Sequence, residues 1–165
     1  QLQRYRNNKA LECAAFPADG EPALPSRVVK LSDDMLQFAE EPRPLVILDE
    51  HGYPLTAGDN ARRFFEASWM HKFNGKYYFS YSTGDSHLLC YAVGDNPYGP
   101  FTYKGVVLEP VVGWTTHHSI VEYKGKWYLF HHDCVPSNDV TWLRSLKVLE
   151  LDVNEEGEIK TAKSE

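Results

Sequence analysis

Glu66 is the residue whose type and position in this sequence point most directly to chemistry. It stands in FFEASWMHKFNGKYYFSYS (64–82), where one carboxyl group lies among aromatic residues at the start of an apolar strand pattern. One interpretation is a structural anion paired with Arg62 or Arg63. The other is a proton donor, because apolar surroundings favour the protonated form of a carboxyl group. The residue types alone leave both interpretations open.

Two groups of histidines are the next candidates for a site. His117 and His118 are adjacent in a predicted strand, so their side chains leave opposite faces and at most one can face a central cavity. His131, His132 and Asp133 suggest a metal site, but the same divergence applies and no H-x-x-x-H or C-x-x-C spacing supports zinc. We therefore expect this second group to be polar packing between layers of the fold.

Aromatic residues and one arginine are the candidates for contact with a ligand. Trp114, in the loop VVGWTTHH, and Trp69 could each present an indole face to a flat ligand; the alternative for both is packing. For Trp127 and Trp142, in the predicted second and third strands of a repeat, packing is the expected role. Arg144 is predicted either to reach a ligand hydroxyl or the acid, or to form a structural ion pair.

The composition limits the classes of function. The 165-residue chain is long enough for one domain with a core, and its aromatic content of 13% favours β structure and a ligand such as a sugar ring. A net charge of −6 without basic runs argues against nucleic acid, and no apolar stretch is long enough to span a membrane. Three widely spaced cysteines (Cys13, Cys90 and Cys134) form no disulfide framework.

The beginning of the chain bears on its origin and location. It starts QLQRYRNNK, with neither an initiator Met nor a signal peptide, which suggests a processed product, a trimmed protein or a piece of a longer chain. The cysteine usage fits a reducing compartment slightly better than an oxidising one. A cytoplasmic location is therefore favoured over a secreted one, although the sequence does not determine it.

Two segments of the chain resemble each other at an offset of about fifty residues. They are EASWMHKFNGKYYFSYS (66–82) and THHSIVEYKGKWYLFHH (116–132), each with a predicted two-residue hairpin turn, Asn74-Gly75 or Lys124-Gly125. A third and a fourth strand are predicted after each hairpin, at 87–94 and 101–108 in the first repeat and at 141–151 and 158–162 in the second. Residues 26–47 match the back half of such a unit, and 58–67 could hold a turn of helix.

Four strands per repeat predict an all-β protein built from β-propeller blades of four antiparallel strands. The alternative is a β-sandwich, which short strands at this spacing also describe. The expected division is the end of one blade with a linker (1–60), a blade (61–112) and a further blade (113–165). About three blades cannot close a ring, so the chain is predicted to be an incomplete part of a larger propeller, either self-associating or completed by a complementary fragment.

Several motifs resemble glycoside hydrolase family 43, the family of β-xylosidases, α-L-arabinofuranosidases and arabinanases. They are VVKLSDDML, FFEASWMHKFNGKYYFSYST, YGPFTYKGVVLEP, TTHHSIVEYKGKWYLFHHD and LRSLKVLELDVNEEGEI, and they extend from about residue 26 to 160. The resemblance implies a five-bladed propeller whose first two blades are absent here. It also implies a pentose-containing, plant-type oligosaccharide as the ligand of Trp69, Trp114, His117 and Arg144.

In that family an inverting hydrolysis uses three carboxyl groups: a Glu as general acid, an Asp as general base and an Asp that tunes the acid. Only the acid matches this sequence, at Glu66, while Asp33, Asp34 and Asp95 fall in predicted outer turns. The chain alone is therefore expected to be inactive. The alternative function is a non-catalytic propeller fragment that binds sugar or completes a propeller with another chain.

The resemblance also bears on the two adjacent histidines. A family histidine near the propeller axis contacts a central calcium ion, or the water around one, in some members; counting back from Ser119 it corresponds to His117. Repeat alignment agrees, because Glu66 pairs with Thr116. No cofactor is expected to be required, and a structural calcium at His117 is the metal prediction.

Overall fold

The computed structural model describes residues 17–114 and 116–164; Cys13 lies outside this range. The described residues form ten strands and one three-residue 3-10 helix, Val135–Ser137. The strands are β1 (Ser26–Val28), β2 (Arg43–Leu45), β3 (Ile47–Leu48), β4 (Glu66–Phe73), β5 (Lys76–Ser82), β6 (Leu89–Gly94), β7 (Phe101–Leu108), β8 (His118–Tyr123), β9 (Lys126–Asp133) and β10 (Ser145–Leu151). The prediction of an all-β protein is confirmed. No helix in the described ranges is long and apolar enough to cross a membrane.

The larger sheet contains the first repeat. Its strand order is β3-β7-β6-β5-β4, in which β4 to β7 form an antiparallel meander and β3 pairs in parallel with β7. The β4–β5 hairpin turns at Asn74 (φ 46°) and Gly75 (φ 77°), which are the positive φ angles that a tight hairpin needs. The four strands predicted between residues 66 and 108 are all present.

The second repeat forms a smaller sheet of order β10-β9-β8. Its hairpin turns at Lys124 (φ 52°) and Gly125 (φ 76°), as expected. The predicted fourth strand at 158–162 is wrong as a strand, because this segment makes only isolated bridges, between Ile159 and Val153 and between Ala162 and Leu108. The second of these bridges joins the end of the chain to β7 of the larger sheet.

The third strand of this sheet is shorter than predicted. β10 begins at Ser145 instead of residue 141, so Trp142 lies in the preceding turn and is 78% exposed. The expected packing role of Trp142 is therefore wrong within this chain. Near the other end of the described chain, β1 pairs with β2 as expected for residues 26–47. Residues 58–65 make turns but no helix, and Glu66 begins β4.

The main core lies between the two sheets. Its buried members include Tyr78, Leu89 and Val107 of the larger sheet and Ile120, Leu129 and Leu151 of the smaller one. Burying a side chain of this size contributes about 1.5–3 kcal/mol. A second cluster, around Phe79, Tyr81 and Phe101, fills the other face of the larger sheet. The two sheets therefore pack as adjacent layers.

Two histidines are partly buried at the interface between the sheets. The ring of His71 stacks on Tyr78 and lies 5.0 Å from the ring of Trp127. The Nε2 of His118 lies 2.6 Å from Ser80 Oγ. Burial lowers the pKa of His71 to about 4 and, together with the nearby His117, lowers the pKa of His118 to about 3. Both rings are therefore neutral at neutral pH.

We expect these two histidines to make the fold less stable in mild acid. Their folded pKa values lie below the value of about 6.5 in an unfolded chain, so below that pH the unfolded state binds protons that the folded state does not. The free energy of unfolding should fall by about 1 kcal/mol per histidine between about pH 7 and pH 5.5. Urea unfolding at the two pH values measures this fall, and His71→Phe, which keeps the stacked ring, should reduce it. An equal fall in the variant would contradict the assignment to His71.

Candidate functional site

A bulge at the beginning of β4 orients Glu66. The pairing of β4 with β5 shifts register between Glu66 and Trp69, and Ala67 has a φ of 61°, which is a left-handed conformation uncommon for a residue with a side chain. Bulges of this kind redirect a side chain and are frequent beside active sites. The Glu66 side chain is 27% exposed. The carboxyl group is thus partly enclosed at one end of the larger sheet.

The two neighbouring arginines form their contacts in the loop that precedes β4. Arg62 forms ion pairs with Asp59 at 2.7 Å and with Glu50 at 3.0 Å. Arg63 donates to the carbonyl oxygen of Ala57 and to Asn60 Oδ1. These contacts favour a loop-building role for both guanidinium groups over the ion pair with Glu66 that the sequence left open.

The smaller sheet brings His117 to Glu66. Ser82 is the β5 partner of Glu66, and its Oγ donates to the carbonyl oxygen of the buried Thr116 at 2.6 Å. The next residue therefore lies beside Glu66, with His117 Nε2 4.0 Å from Glu66 Oε1. His118 points between the sheets instead, as the divergence of adjacent strand residues predicts. Of the two adjacent histidines, His117 is the one beside Glu66.

His132 lies next to His117, and Arg144 lies next to His132. The rings of His117 and His132 are stacked, with centroids 6.2 Å apart, and Arg144 Nη1 lies 3.4 Å from His132 Nε2. His132 therefore contacts candidate site residues, whereas His131 and Asp133 are buried. The alternation of side chains along β9 already indicated that His132 differs from His131 and Asp133, because it places His132 on the opposite face of the strand.

The two candidate tryptophans differ in their environments. Trp69 donates its indole N–H to the carbonyl oxygen of Ile120 at 3.1 Å and packs against the core between the sheets, which favours the packing alternative for it. Trp114 is 49% exposed, and its ring lies 5.2 Å from the ring of His87. Of the two, Trp114 is the one whose indole face is open to a ligand.

The described residues do not form a metal site by themselves. Across residues 17–114 and 116–164, no group of three or more His, Cys, Asp and Glu side chains is placed to hold an ion. Calcium takes six to eight oxygen ligands, and a histidine with one nearby carboxylate does not supply them. No catalytic role can therefore be derived for a calcium ion at His117 from this part of the chain.

Comparison with known proteins identifies the relatives of this chain. A xylosidase/arabinosidase of Bacteroides ovatus is 76% identical over 161 residues, which cover 98% of this chain and 50% of that protein. A β-xylosidase of Xylanibacter ruminicola is 72% identical, covering 99% of this chain and 51% of that protein. No family model matches the chain.

Solved structures give the same family. A glycoside hydrolase family 43 β-xylosidase/α-arabinofuranosidase from a compost microbial metagenome, in complex with xylotriose and in calcium-free form, has a TM-score of 0.90 and 54% identity, covering 99% of this chain and 51% of that one. This chain belongs to glycoside hydrolase family 43. The structure of the RS223 β-xylosidase has a TM-score of 0.89 and 75% identity, covering 99% of this chain and 50% of that one.

This glycoside hydrolase family 43 chain spans about half the length of the relatives it matches and corresponds to their C-terminal portion. Asp33, Asp34 and Asp95 lie in exposed turns, as the sequence predicts. Within the described half, the residues that come together are Glu66, His117, His132 and Arg144.

Proposed function

We propose that this chain supplies the general-acid half of the active site of an inverting glycosidase that cleaves β-D-xylosides or α-L-arabinofuranosides of pentose oligosaccharides. The observation that carries the proposal is the placement of Glu66 on a strand bulge, partly enclosed and beside His117, in a chain with xylosidase/arabinosidase relatives. Glu66 donates a proton to the departing glycosidic oxygen. The preceding half of the enzyme supplies the general base and the carboxylate that tunes the acid.

The reaction needs the two halves because it needs two carboxyl groups on opposite faces of the sugar. The acid protonates the leaving oxygen while the base removes a proton from the attacking water, and a separation of about 6.5–9.5 Å leaves room for that water. We expect Arg144, whose Nη1 lies 3.4 Å from His132 Nε2, to bind a substrate hydroxyl. Trp114 provides an exposed aromatic face for stacking with a pentose ring.

The smaller sheet has a face that supports an association with the missing half. Val121 of β8 and Leu146 and Val148 of β10 are exposed, the last two by 72% and 49%. Leu146 and Val148 alternate with less exposed residues of β10, and the strand register places Val121 on the same side, so the three share the face turned away from the larger sheet. An exposed apolar sheet face of this kind indicates an interface. We expect it to be covered by the N-terminal blades of a five-bladed propeller or, in their absence, by a second copy of the chain.

The second candidate function is that of a non-catalytic fragment that binds sugar. It is favoured by the location of the expected base outside this chain. Glu66, Trp114 and Arg144 would then form a weak binding surface without turnover. The two candidates predict different behaviour for the chain alone and for the chain joined to its missing half.

The test joins the N-terminal half of the Bacteroides ovatus relative to this chain and compares the chimera with the chain alone. p-Nitrophenyl β-D-xyloside and p-nitrophenyl α-L-arabinofuranoside are the substrates. We expect the chimera to hydrolyse at least one of them and the chain alone to show no turnover above buffer. Turnover by the chain alone would show that the general base is present in it, and a folded but inactive chimera would favour the non-catalytic function.

A further inference from the structure

The ring of His132 accepts a hydrogen bond from the backbone of His117, in a place where a backbone carbonyl of the paired strand would be the usual acceptor. The ladder between β8 and β9 begins with the pair His118 and His131, so the backbone N–H of His117 lies one residue beyond it. That N–H donates to His132 Nε2 at 3.0 Å. The His132 side chain therefore continues the hydrogen bonding between β9 and β8 by one residue, to His117, which lies beside Glu66.

The protonation state of His132 follows from its donors. The amide of His117 and the guanidinium of Arg144, 3.4 Å away, both point at Nε2, so this nitrogen carries the lone pair and the ring proton lies on Nδ1. Burial, the charge of Arg144 and the nearby His117 lower the pKa of His132 to about 4. The ring therefore remains a neutral acceptor throughout the neutral pH range.

The backbone of His132 is fixed at the same place. Its N–H donates to Thr116 Oγ1 at 3.0 Å, and Thr116 Oγ1 donates to its carbonyl oxygen at 2.8 Å. On the other side, the carbonyl of Thr116 accepts from Ser82, the strand partner of Glu66. Residues 116 and 117 are thus held by one sheet through Ser82 and by the other through His132.

We propose that His132 is a positioning residue for the general-acid site: its Nε2 fixes the backbone of His117 beside Glu66 and holds the Arg144 guanidinium on the same side. This inference rests on the proposed function of Glu66. The ring of His132 reaches the reacting atoms only through His117 and Arg144. The site requires a hydrogen-bond acceptor at the position of Nε2. It does not require the imidazole ring itself.

Two substitutions in the chimera separate the acceptor from the ring. His132→Phe keeps a ring without an acceptor, and His132→Gln places an amide oxygen near the position of Nε2. We expect His132→Phe to lower kcat/KM at least about 10-fold, mainly through kcat, and His132→Gln to recover most of the loss, since small displacements at a reacting centre are costly. His131→Phe is the matched control, because His131 lies on the other face of β9, and it should leave kcat/KM within about 2-fold.

A second measurement does not depend on activity. In the 165-residue chain, amide hydrogen exchange at His117 should become faster in His132→Phe and stay slow in His132→Gln, while exchange within the β8–β9 ladder is unchanged. An inactive wild-type chimera would overturn the proposed function, and this exchange would then still decide whether His132 holds His117. If His132→Phe changes neither exchange at His117 nor kcat/KM in an active chimera, the inference is wrong.

Discussion

Glu66→Gln in the chimera is expected to lower kcat for xylo-oligosaccharides by about 10²–10⁴-fold, the usual contribution of a positioned proton donor. The amide keeps the shape of the side chain on its bulge but has no acidic proton to give. A sugar hydroxyl is a poor leaving group and needs that proton as the glycosidic bond breaks. A nitrophenolate leaves without much help, so p-nitrophenyl glycosides should lose considerably less activity. Steady-state kinetics on the two substrate types measure the difference.

The control for this substitution is Glu122→Gln, which removes a carboxylate from an exposed position of β8. It should leave kcat for both substrate types within about 2-fold, since surface substitutions rarely have larger effects. Equal losses on both substrate types in Glu66→Gln would exclude proton donation by Glu66, because the loss would not follow the need for protonation. The placement of Glu66 beside His117 would then have to serve substrate binding.

Gly157→Ala is expected to be among the most destabilising single substitutions in the described fold. Gly157 is buried with a φ of 87°, and a Cβ built there would overlap the hydroxyl of Tyr78 and lie 3.2 Å from Phe73 Cδ1. Tyr78 is 4% exposed and its ring stacks on Tyr91, so it has little room to move. Overpacking and the left-handed backbone together should lower the free energy of unfolding by about 2–5 kcal/mol, measurable by urea unfolding of the 165-residue chain.

Gly52 offers a closely matched control. Its φ of 86° is almost the same, but no atom lies within 4 Å of a Cβ built on it. Gly52→Ala should therefore cost only the backbone strain, about 1–2 kcal/mol. The difference between the two variants isolates the contact with Tyr78. If both lose the same stability, the end of the chain does not pack on the larger sheet as described.

Local rules in the sequence were enough to predict the hairpins. Asn74-Gly75 and Lys124-Gly125 have the positive φ angles of a tight turn, which Gly and Asn adopt more readily than most residues, and the flanking aromatic strands form where expected. The same rules failed at 158–162 and at Trp142, because neither the extent of a strand nor the exposure of its end is a local property. Both depend on which neighbouring strand is within reach.

At the candidate site, too, some features followed from the sequence and others only from the tertiary structure. Sequence motifs singled out Glu66, and strand alternation showed that only one of His117 and His118 could face it. Motif and period are properties of adjacent residues, so the sequence by itself determined the family, the β architecture and the candidate acid. The contact of His117 with Glu66 and the role of His132 were decided only by the tertiary structure. They depend on hydrogen bonds between residues 15 to 34 positions apart: Ser82 with Thr116, which joins the two sheets, and His117 with His132, which forms only when β9 pairs with β8.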